Sequence, residues 1–171
     1  TDNTTGDHNT ATGVRALTSN TTGNNNIAVG SNSLFSNTTG FSNIAIGRDA
    51  LRFNTEEGNS VAIGDSALFH NGQNNPVPGA LAVSNTAIGS KALFSNTIGS
   101  GNTATGRHSL FSNTEGSANA AYGVGSLFSN TIGGSNTAIG SSSLSSNTTG
   151  NNNTAAGFQA LFSNTTGVFN S

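Results

Sequence analysis

The sequence predicts an all-β fold, a parallel β-solenoid of nine 17-residue coils, and three observations lead to it. A phrase of the form Asn-x-Ala-x-Gly recurs along the chain, its spacing is regular, and the composition is rich in glycine and poor in charge. Glycine accounts for 23 of the 171 residues and charged residues for only 7%, against roughly 25% charged in an average soluble domain. Residues 1–171 are therefore interpreted as one repeat array.

The glycine that closes each phrase, called here the marker glycine, sets the register of the repeat. The sequence numbers of successive markers differ by 17, except for one difference of 25. In every copy Ala stands two positions before the marker, Leu four after it and Asn seven after it. Nine copies in register are not expected of a disordered low-complexity tract, so an ordered array is predicted. The markers are Gly13, Gly30, Gly47, Gly64, Gly89, Gly106, Gly123, Gly140 and Gly157.

Each repeat fits one coil of a β-solenoid, since helix-pair repeats need about 33 residues or more. The segment Asn-Thr-Ala-Ile-Gly predicts a first strand and Ala/Ser-Leu-Phe-Ser a second, because Thr, Ile, Val and Phe favour strands. Gly and Asn-Thr-Thr-Gly mark the turns between them. Coils stacked about 4.8 Å apart would form a rod roughly 43 Å long.

The Asn column seven positions after the marker predicts a hydrogen-bonded ladder. Asn tolerates the left-handed backbone region, and stacked Asn amides bond to one another. A role in turns alone is the alternative, but a turn would accept Asp or Gly at some of these positions. A second Asn column, four positions before the marker, fails only at Ser60. The predicted ladder residues are Asn20, Asn37, Asn54, Asn71, Asn96, Asn113, Asn130, Asn147 and Asn164.

The residue after the invariant Leu is usually Phe, and this column predicts an apolar stripe on the outside of the coil. Side chains alternate along a strand, so an inward Leu places Phe outward. Monomers seldom expose an apolar strip of several hundred Å². We therefore expect a homotrimer, with a monomer that folds over both stripes as the alternative. The candidate interface residues are Phe35, Phe69, Phe94, Phe111, Phe128 and Phe162.

The first strand is apolar on both sides of its invariant Ala, as in Ile44-Ala45-Ile46. A strand apolar on both faces is buried on both faces. We expect the large residues to fill the coil interior and Ala to allow close approach of another backbone.

The longer interval, from Gly64 to Gly89, exceeds the others by 25 − 17 = 8 positions and predicts a loop around residues 70–83. Asn71-Gly72 is a turn signal, and Pro76 and Pro78 have no N–H to donate to a ladder. These four residues form a candidate contact loop, with a tolerated insertion or a kink in the rod as an equal alternative.

Some charged residues occupy the same repeat position in successive coils, which predicts surface pairs. Arg48 and Asp65 follow the marker in successive coils, and Lys91 and His108 share the next column. The formal net charge of −2 argues against an electrostatic nucleic-acid binder. No run of apolar residues is long enough to cross a membrane, and the chain contains no Cys, so thiolate sites are excluded.

Catalytic residues are not predicted, and neither is a cofactor or metal site. His8, His70 and His108 stand at different repeat offsets, which predicts different faces of the rod. Glu56 and Glu57 are adjacent, but no third acid or His in a neighbouring copy completes a cluster. No Ser recurs beside a His and an acid, and no Gly-Lys-Ser/Thr phosphate loop occurs.

One phrase, Ser60-Val61-Ala62-Ile63-Gly64, carries a family resemblance, and variants recur at residues 43–47, 85–89 and 136–140. It resembles the head (Hep/Hag) repeat of YadA-like trimeric autotransporter adhesins. The resemblance implies a left-handed parallel β-roll, trimerisation, a bacterial surface location and adhesion to host matrix proteins or other cells. The 17-residue repeat is longer than the family's usual one and is similar to repeats in phage and bacterial fibre proteins. No ligand-binding residue is carried over.

These observations predict a non-enzymatic structural and adhesive rod in an extracellular trimeric adhesin or surface fibre, on a cell or a virion. A self-assembling filament or phage tail-fibre subunit is the alternative, and uncapped repeats at both termini favour an excerpt or end-to-end stacking. The expected partners are further copies of the chain and a host or cell-surface ligand, with no nucleic acid and no membrane insertion. An ice-binding solenoid is a third candidate, from Thr10-Ala11-Thr12 and Thr103-Ala104-Thr105.

Overall fold

The computed structural model describes residues 3–73 and 82–171, and these residues form a parallel β-solenoid. Nine three-residue strands lie in chain order in one parallel sheet, so each coil contributes one strand and the all-β solenoid prediction is confirmed. The strands are β1 (Thr10–Thr12), β2 (Ile27–Val29), β3 (Ile44–Ile46), β4 (Val61–Ile63), β5 (Thr86–Ile88), β6 (Thr103–Thr105), β7 (Ala120–Tyr122), β8 (Thr137–Ile139) and β9 (Thr154–Ala156).

Neighbouring strands pair without any slip in register. The central Ala of each strand lies opposite the central Ala of the next, as Ala104 does opposite Ala121. The longer interval between the fourth and fifth markers leaves this register intact, because Ala62 still pairs with Ala87. The longer interval therefore does not shift the pairing of β4 with β5.

The coil interior is filled by small residues and Leu, which corrects one expectation. Ala45 of β3 is fully buried and points inward, whereas Ile46 on the other face of the strand is exposed. So short a coil encloses a narrow section, and the central Ala shares it with the stacked Leu column and the buried Asn columns. A larger inward residue would meet these side chains, so the Ile and Val residues face outward.

The expected second strand is also wrong, because the Leu segment is a tight turn. Leu110 has a φ of 50° and His108, two positions earlier, a φ of 59°. Left-handed backbone at a non-glycine residue costs about 1–2 kcal/mol. Burial of Leu is worth about 1.5–3 kcal/mol, and the N–H of Leu110 also bonds to the carbonyl of Ser126 at 2.9 Å. The turn therefore aims Leu into the interior at a net gain.

The marker glycine is required by both conformation and space. Gly123 has a φ of 136°, which L side chains rarely adopt. A Cβ there would lie 2.5 Å from the carbonyl oxygen of Gly140 in the next coil. Only glycine lets the coils stack at this corner.

Candidate functional site

The first Asn column forms a continuous ladder inside the rod, as predicted. The side-chain nitrogen of each Asn donates to the side-chain oxygen of the Asn in the preceding coil, at 2.8–3.1 Å. In eight of the nine the same nitrogen also donates to the carbonyl oxygen three positions later in its own coil. The ladder residues are Asn20, Asn37, Asn54, Asn71, Asn96, Asn113, Asn130, Asn147 and Asn164.

The second Asn column forms a similar ladder and adds a backbone donor, with Nδ2 of Asn119 also 3.2 Å from Oδ1 of Asn102. The backbone N–H of Asn119 donates to the side-chain oxygen of Asn102 at 3.0 Å, and the Asn119 side-chain nitrogen donates to the carbonyl oxygen of Gly133 at 2.9 Å. At Ser60 the pattern weakens, because Asn85 reaches the Ser60 hydroxyl only at 3.4 Å. These ladders are internal, and their side chains are occupied in holding successive coils together.

A Thr carbonyl joins successive coils at the Asn-Thr-Thr turn. The carbonyl oxygen of Thr114 accepts the backbone N–H groups of Thr97, Ile98 and Gly99 at 2.9–3.2 Å. It also accepts the Thr97 hydroxyl at 3.0 Å. Successive N–H groups that converge in this way form a pocket suited to a negatively polarised oxygen.

Glu57 takes over this role where the repeat is interrupted. Its buried carboxylate accepts the backbone N–H groups of Thr55 and Glu56 at 3.0 and 3.1 Å. In a regular coil these groups bond to the Thr carbonyl of the next coil, but the next coil has Gly72 at that place. A Cβ on Gly72 would overlap the Glu57 carboxylate. Glu57 and Gly72 therefore fit against each other at the start of the longer interval, and sequence reasoning did not identify this pair.

The candidate contact loop is described only at its start. Asn71 is fully buried, and its side-chain nitrogen donates to the carbonyl oxygen of Ala82 at 3.0 Å. The N–H of Gly72 donates to the carbonyl oxygen of Thr97 at 3.1 Å. Pro76 and Pro78 lie outside the described residues.

The Phe column forms a stacked outward stripe, called here the Phe stripe. The ring centroids of Phe69 and Phe94 lie 5.0 Å apart, and the Phe94–Phe111 and Phe111–Phe128 pairs lie 5.3 Å apart, all nearly parallel. Because the faces cover one another, most of these rings are half-buried. Phe35, also half-buried, belongs to this column, and so does the exposed Phe162.

An arginine and two histidines accompany the Phe stripe. Arg52 occupies the Phe position of its coil, and its guanidinium carbon lies 5.7 Å from the Phe35 centroid and 5.9 Å from the Phe69 centroid. Such cation–π contacts are attractive. His70 and His108 both pack edge-on against rings of the stripe, at 5.0 Å from Phe94 and 5.2 Å from Phe111. The expectation that these two histidines lie on different faces is therefore wrong.

His108 also lies near two cationic side chains. Desolvation by burial and the positive charges of Arg107 and Lys91 lower the pKa of His108. The proximity of Lys91 and His108 agrees with their shared repeat column. A cationic region thus lies along the middle of the Phe stripe.

The predicted surface pair of Arg48 and Asp65 is confirmed, with Nε of Arg48 2.8 Å from Oδ1 of Asp65. This hydrogen bond, together with the charges of Asp65 and Asp49, raises the pKa of Arg48. Asp49 in turn binds Arg52 at 2.8 Å. Asp49 and Asp65 are thereby both bound by arginines.

The outward side of the nine-stranded sheet is a second, uncharged surface in which Thr occurs together with apolar residues, called here the sheet face. It comprises the first and third residues of β1 to β9, which point away from the interior. Those eighteen positions, two in each of nine strands, contain only Thr, Ile, Val, Ala and Tyr. Sequence reasoning placed the Ile and Val residues inside. The absence of charge from both columns is common to inward and outward apolar positions, so it did not reveal the orientation.

Among residues 3–73 and 82–171 there is no group of three or more His, Asp or Glu side chains that could hold a metal ion. A cavity of about 150 Å³ at the first coil is lined by Asn3, Asn9, Ala11 and Leu17, which carry no titratable side chain. The part of the chain that the structure describes has no helix that could cross a membrane.

Comparisons with protein-family models, with curated proteins and with solved structures find no match to this chain. The resemblance to YadA-like head repeats therefore rests on the residues of the repeated phrase.

Proposed function

We propose that the chain is a non-enzymatic rod module of an extracellular trimeric adhesin or surface fibre, located on a cell or virion surface. The observation that carries the proposal is the combination of a filled interior with two outward surfaces rich in apolar residues. The Asn ladders and the Leu column fill the interior of the coils. The Phe stripe and the sheet face run along the outside. A surface of that length is characteristic of proteins that associate.

The chemistry of the rod fits a spacer that also presents a surface. Apart from the interruption at Glu57 and Ser60, hydrogen bonds join successive coils through the described residues, which favours length and stiffness. Its outward columns repeat at about 4.8 Å, so a ligand with a repetitive surface would meet the same groups many times. Partners of this kind include a host or cell-surface ligand, and the Phe stripe is one candidate interface for the assembly.

The mass of the assembly in solution tests the proposal. Light scattering on the purified chain is expected to give three times the chain mass of 17.0 kDa. A mass of 17.0 kDa at every concentration would remove the trimer. Negative-stain images with unlimited filaments would instead favour the filament subunit.

A further inference from the structure

We propose that an acidic polysaccharide, with carboxylate or sulfate groups on its sugar units, binds along the Phe stripe beside Lys91 and Arg107. The inference rests on the proposed function in one respect, because it names the class of ligand that the rod binds on its outer surface. It does not require the chain to be a trimer.

The first support is positive charge that no acid of the chain neutralises. Lys91 and Arg107 are both exposed, and theirs are the charges that lower the pKa of His108. Among the described residues, ion pairs engage Arg48 and Arg52, and none engages Lys91 or Arg107. An anionic ligand would therefore meet both cations without displacing an acid of this chain.

His108 connects this charge to the Phe stripe. Its ring centroid lies 5.2 Å from that of Phe111 and 6.1 Å from that of Phe128, edge-on in both cases. Lys91 stands at the same repeat position in the preceding coil, and the N–H of His108 donates to the carbonyl oxygen of Ser90 in that coil at 3.1 Å. The cations and the aromatic rings therefore belong to one surface.

The second support is the orientation of the rings. Phe94, Phe111 and Phe128 are stacked 5.3 Å apart with interplanar angles of 9° and 5°, so the faces between them are covered. An aromatic ring is negative on its face and positive at its edge. The edges that remain accessible attract anionic oxygens, whereas nucleic-acid bases, which stack on ring faces, would find these faces covered.

The third support is a column of hydroxyl groups beside the rings. Ser95, Ser112 and Ser129 directly follow the three stacked Phe residues and are half-buried. Their hydroxyls have no hydrogen-bond partner within the part of the chain that the structure describes. His70, at the same repeat position, packs 5.0 Å from Phe94, which places this column next to the stripe. A hydroxyl both donates and accepts, so the column suits sugar hydroxyls and anionic oxygens.

These three features together select the ligand. A neutral polysaccharide would gain nothing from the two cations, and a second copy of the chain would bring the same cations to this surface. An acidic peptide offers carboxylates but not a hydroxyl on every unit. A polymer of acidic sugars offers both along its length, and the rings and hydroxyls of the rod repeat along its length as well.

Binding of the whole chain to immobilised heparin, a sulfated polysaccharide, tests the inference. We expect binding that weakens as salt is raised, and no binding to neutral dextran. Absence of heparin binding overturns the inference. Polyglutamate and single-stranded oligo-dT serve as competitors at equal charge. If either competes as well as soluble heparin, the surface recognises an acidic protein or a nucleic acid instead, and the inference is overturned.

Two matched variants locate the site, because both remove one exposed cation from the same repeat position. Gln159 has the left-handed backbone of this position, so Lys91→Gln and Arg15→Gln both suit the fold. We expect Lys91→Gln to weaken heparin binding about threefold, Lys91→Gln with Arg107→Gln about tenfold, and Arg15→Gln less than twofold. Equal effects of the two single variants would contradict the site.

A third variant tests the rings themselves. Ser145 stands at the Phe position of its coil, so Phe111→Ser with Phe128→Ser suits the fold. Loss of two positive ring edges should weaken heparin binding about twofold or more. Unchanged binding would remove the Phe stripe from the site and overturn the inference. Far-UV circular dichroism checks that each variant keeps its β content.

Labelling of the wild type covers the case in which a variant does not fold. Lys91 is the only lysine of the chain, so acetylation by acetic anhydride reports on this one side chain, with the N-terminal amine as an internal reference. Excess heparin should slow the acetylation of Lys91 severalfold in mass spectra, and dextran should not. Equal rates with and without heparin overturn the inference.

Light scattering on the same samples separates the inference from the proposed function. A chain of 17.0 kDa whose Lys91 is protected by heparin removes the trimer and supports the inference. A trimer of three times that mass whose Lys91 is not protected supports the assembly and overturns the inference.

Discussion

The side-chain nitrogen of Asn113 donates to the side-chain oxygen of Asn96 in the preceding coil at 2.9 Å. The same nitrogen donates to the carbonyl oxygen of Gly116 in its own coil, also at 2.9 Å. An amide can hold this place in every coil because it offers two N–H donors and an acceptor. A carboxylate offers acceptors only, which explains why Asp is absent from all nine positions.

Replacement of Asn113 by Asp should destabilise the rod strongly. The Asn96 oxygen and the Gly116 carbonyl would lose their donor, and each buried unsatisfied group costs about 1–3 kcal/mol. We expect a loss of about 2–5 kcal/mol in the free energy of unfolding, measured by urea denaturation. The exposed Asn24 uses its side-chain oxygen to accept the N–H of Asp7. Asn24→Asp keeps that acceptor and should change stability by no more than about 0.5 kcal/mol; equal effects would contradict an energetic role for the ladder.

Two adjacent glycines should respond differently to alanine. A Cβ on Gly133 would lie 2.5 Å from the Gly150 carbonyl oxygen and 2.5 Å from the Asn130 side-chain oxygen. On Gly134 the nearest atom would be the Ser117 oxygen at 3.0 Å. Overpacking costs about 1–3 kcal/mol and occasionally more. The loss of stability should therefore lie at the top of this range for Gly133→Ala and at or below its bottom for Gly134→Ala. A thermal melt of both variants is decisive, and a lower melting temperature for Gly134→Ala would refute the stacking geometry.

Replacement of Glu57 by Gly restores the residue most common in its column and should nevertheless destabilise the chain. The backbone N–H groups of Thr55 and Glu56 would lose their acceptor, at about 1–3 kcal/mol. Glu57→Gln keeps one side-chain oxygen and should have a smaller effect. Glu56 is exposed, so Glu56→Gln provides the control. A stabilising Glu57→Gly variant in urea denaturation would show that the carboxylate is not needed.

Stability should fall as the solution is acidified below the ordinary His pKa. Desolvation, Arg107 and Lys91 lower the pKa of His108 from 6.5, so the folded chain binds this proton less readily than the unfolded chain. The contribution of neutral His108 to the free energy of unfolding is complete above about pH 6.5. It is lost as the pH drops from there through the lowered pKa of His108. His108→Asn suits the left-handed backbone at this residue and should flatten the pH dependence of urea denaturation. Identical pH profiles for wild type and variant would exclude His108 as the source.

The stacking of residues in successive coils could be predicted from the sequence, because residues at the same repeat position lie next to each other in neighbouring coils. Once the 17-residue period is known, stacking of Asn113 on Asn96 and of Arg48 beside Asp65 follows from spacing alone. The path of the chain within one coil does not follow in the same way. Leu110 belongs to a residue type that rarely adopts positive φ, so its segment was predicted as a strand although it is a turn.

The direction of the first strand was missed for a related reason. Ile44-Ala45-Ile46 is apolar at every position, so alternation cannot tell which side faces inward. The width of the coil interior decides which face of the strand points inward. That width depends on the turn at the Leu position. Glu57 escaped detection because its role exists only at the longer interval, where the N–H groups of Thr55 and Glu56 bond to its carboxylate instead of a Thr carbonyl of the next coil.

The interruption at Glu57 and Ser60 has a mechanical consequence. Elsewhere in the described part of the rod, hydrogen bonds to a Thr carbonyl and within two Asn columns join each coil to the next. Between the coils of Val61 and Thr86 the N–H groups of Thr55 and Glu56 turn back to Glu57 in their own coil. Fewer hydrogen bonds join the two coils at this place. A force applied along the rod axis should therefore separate the coils here first.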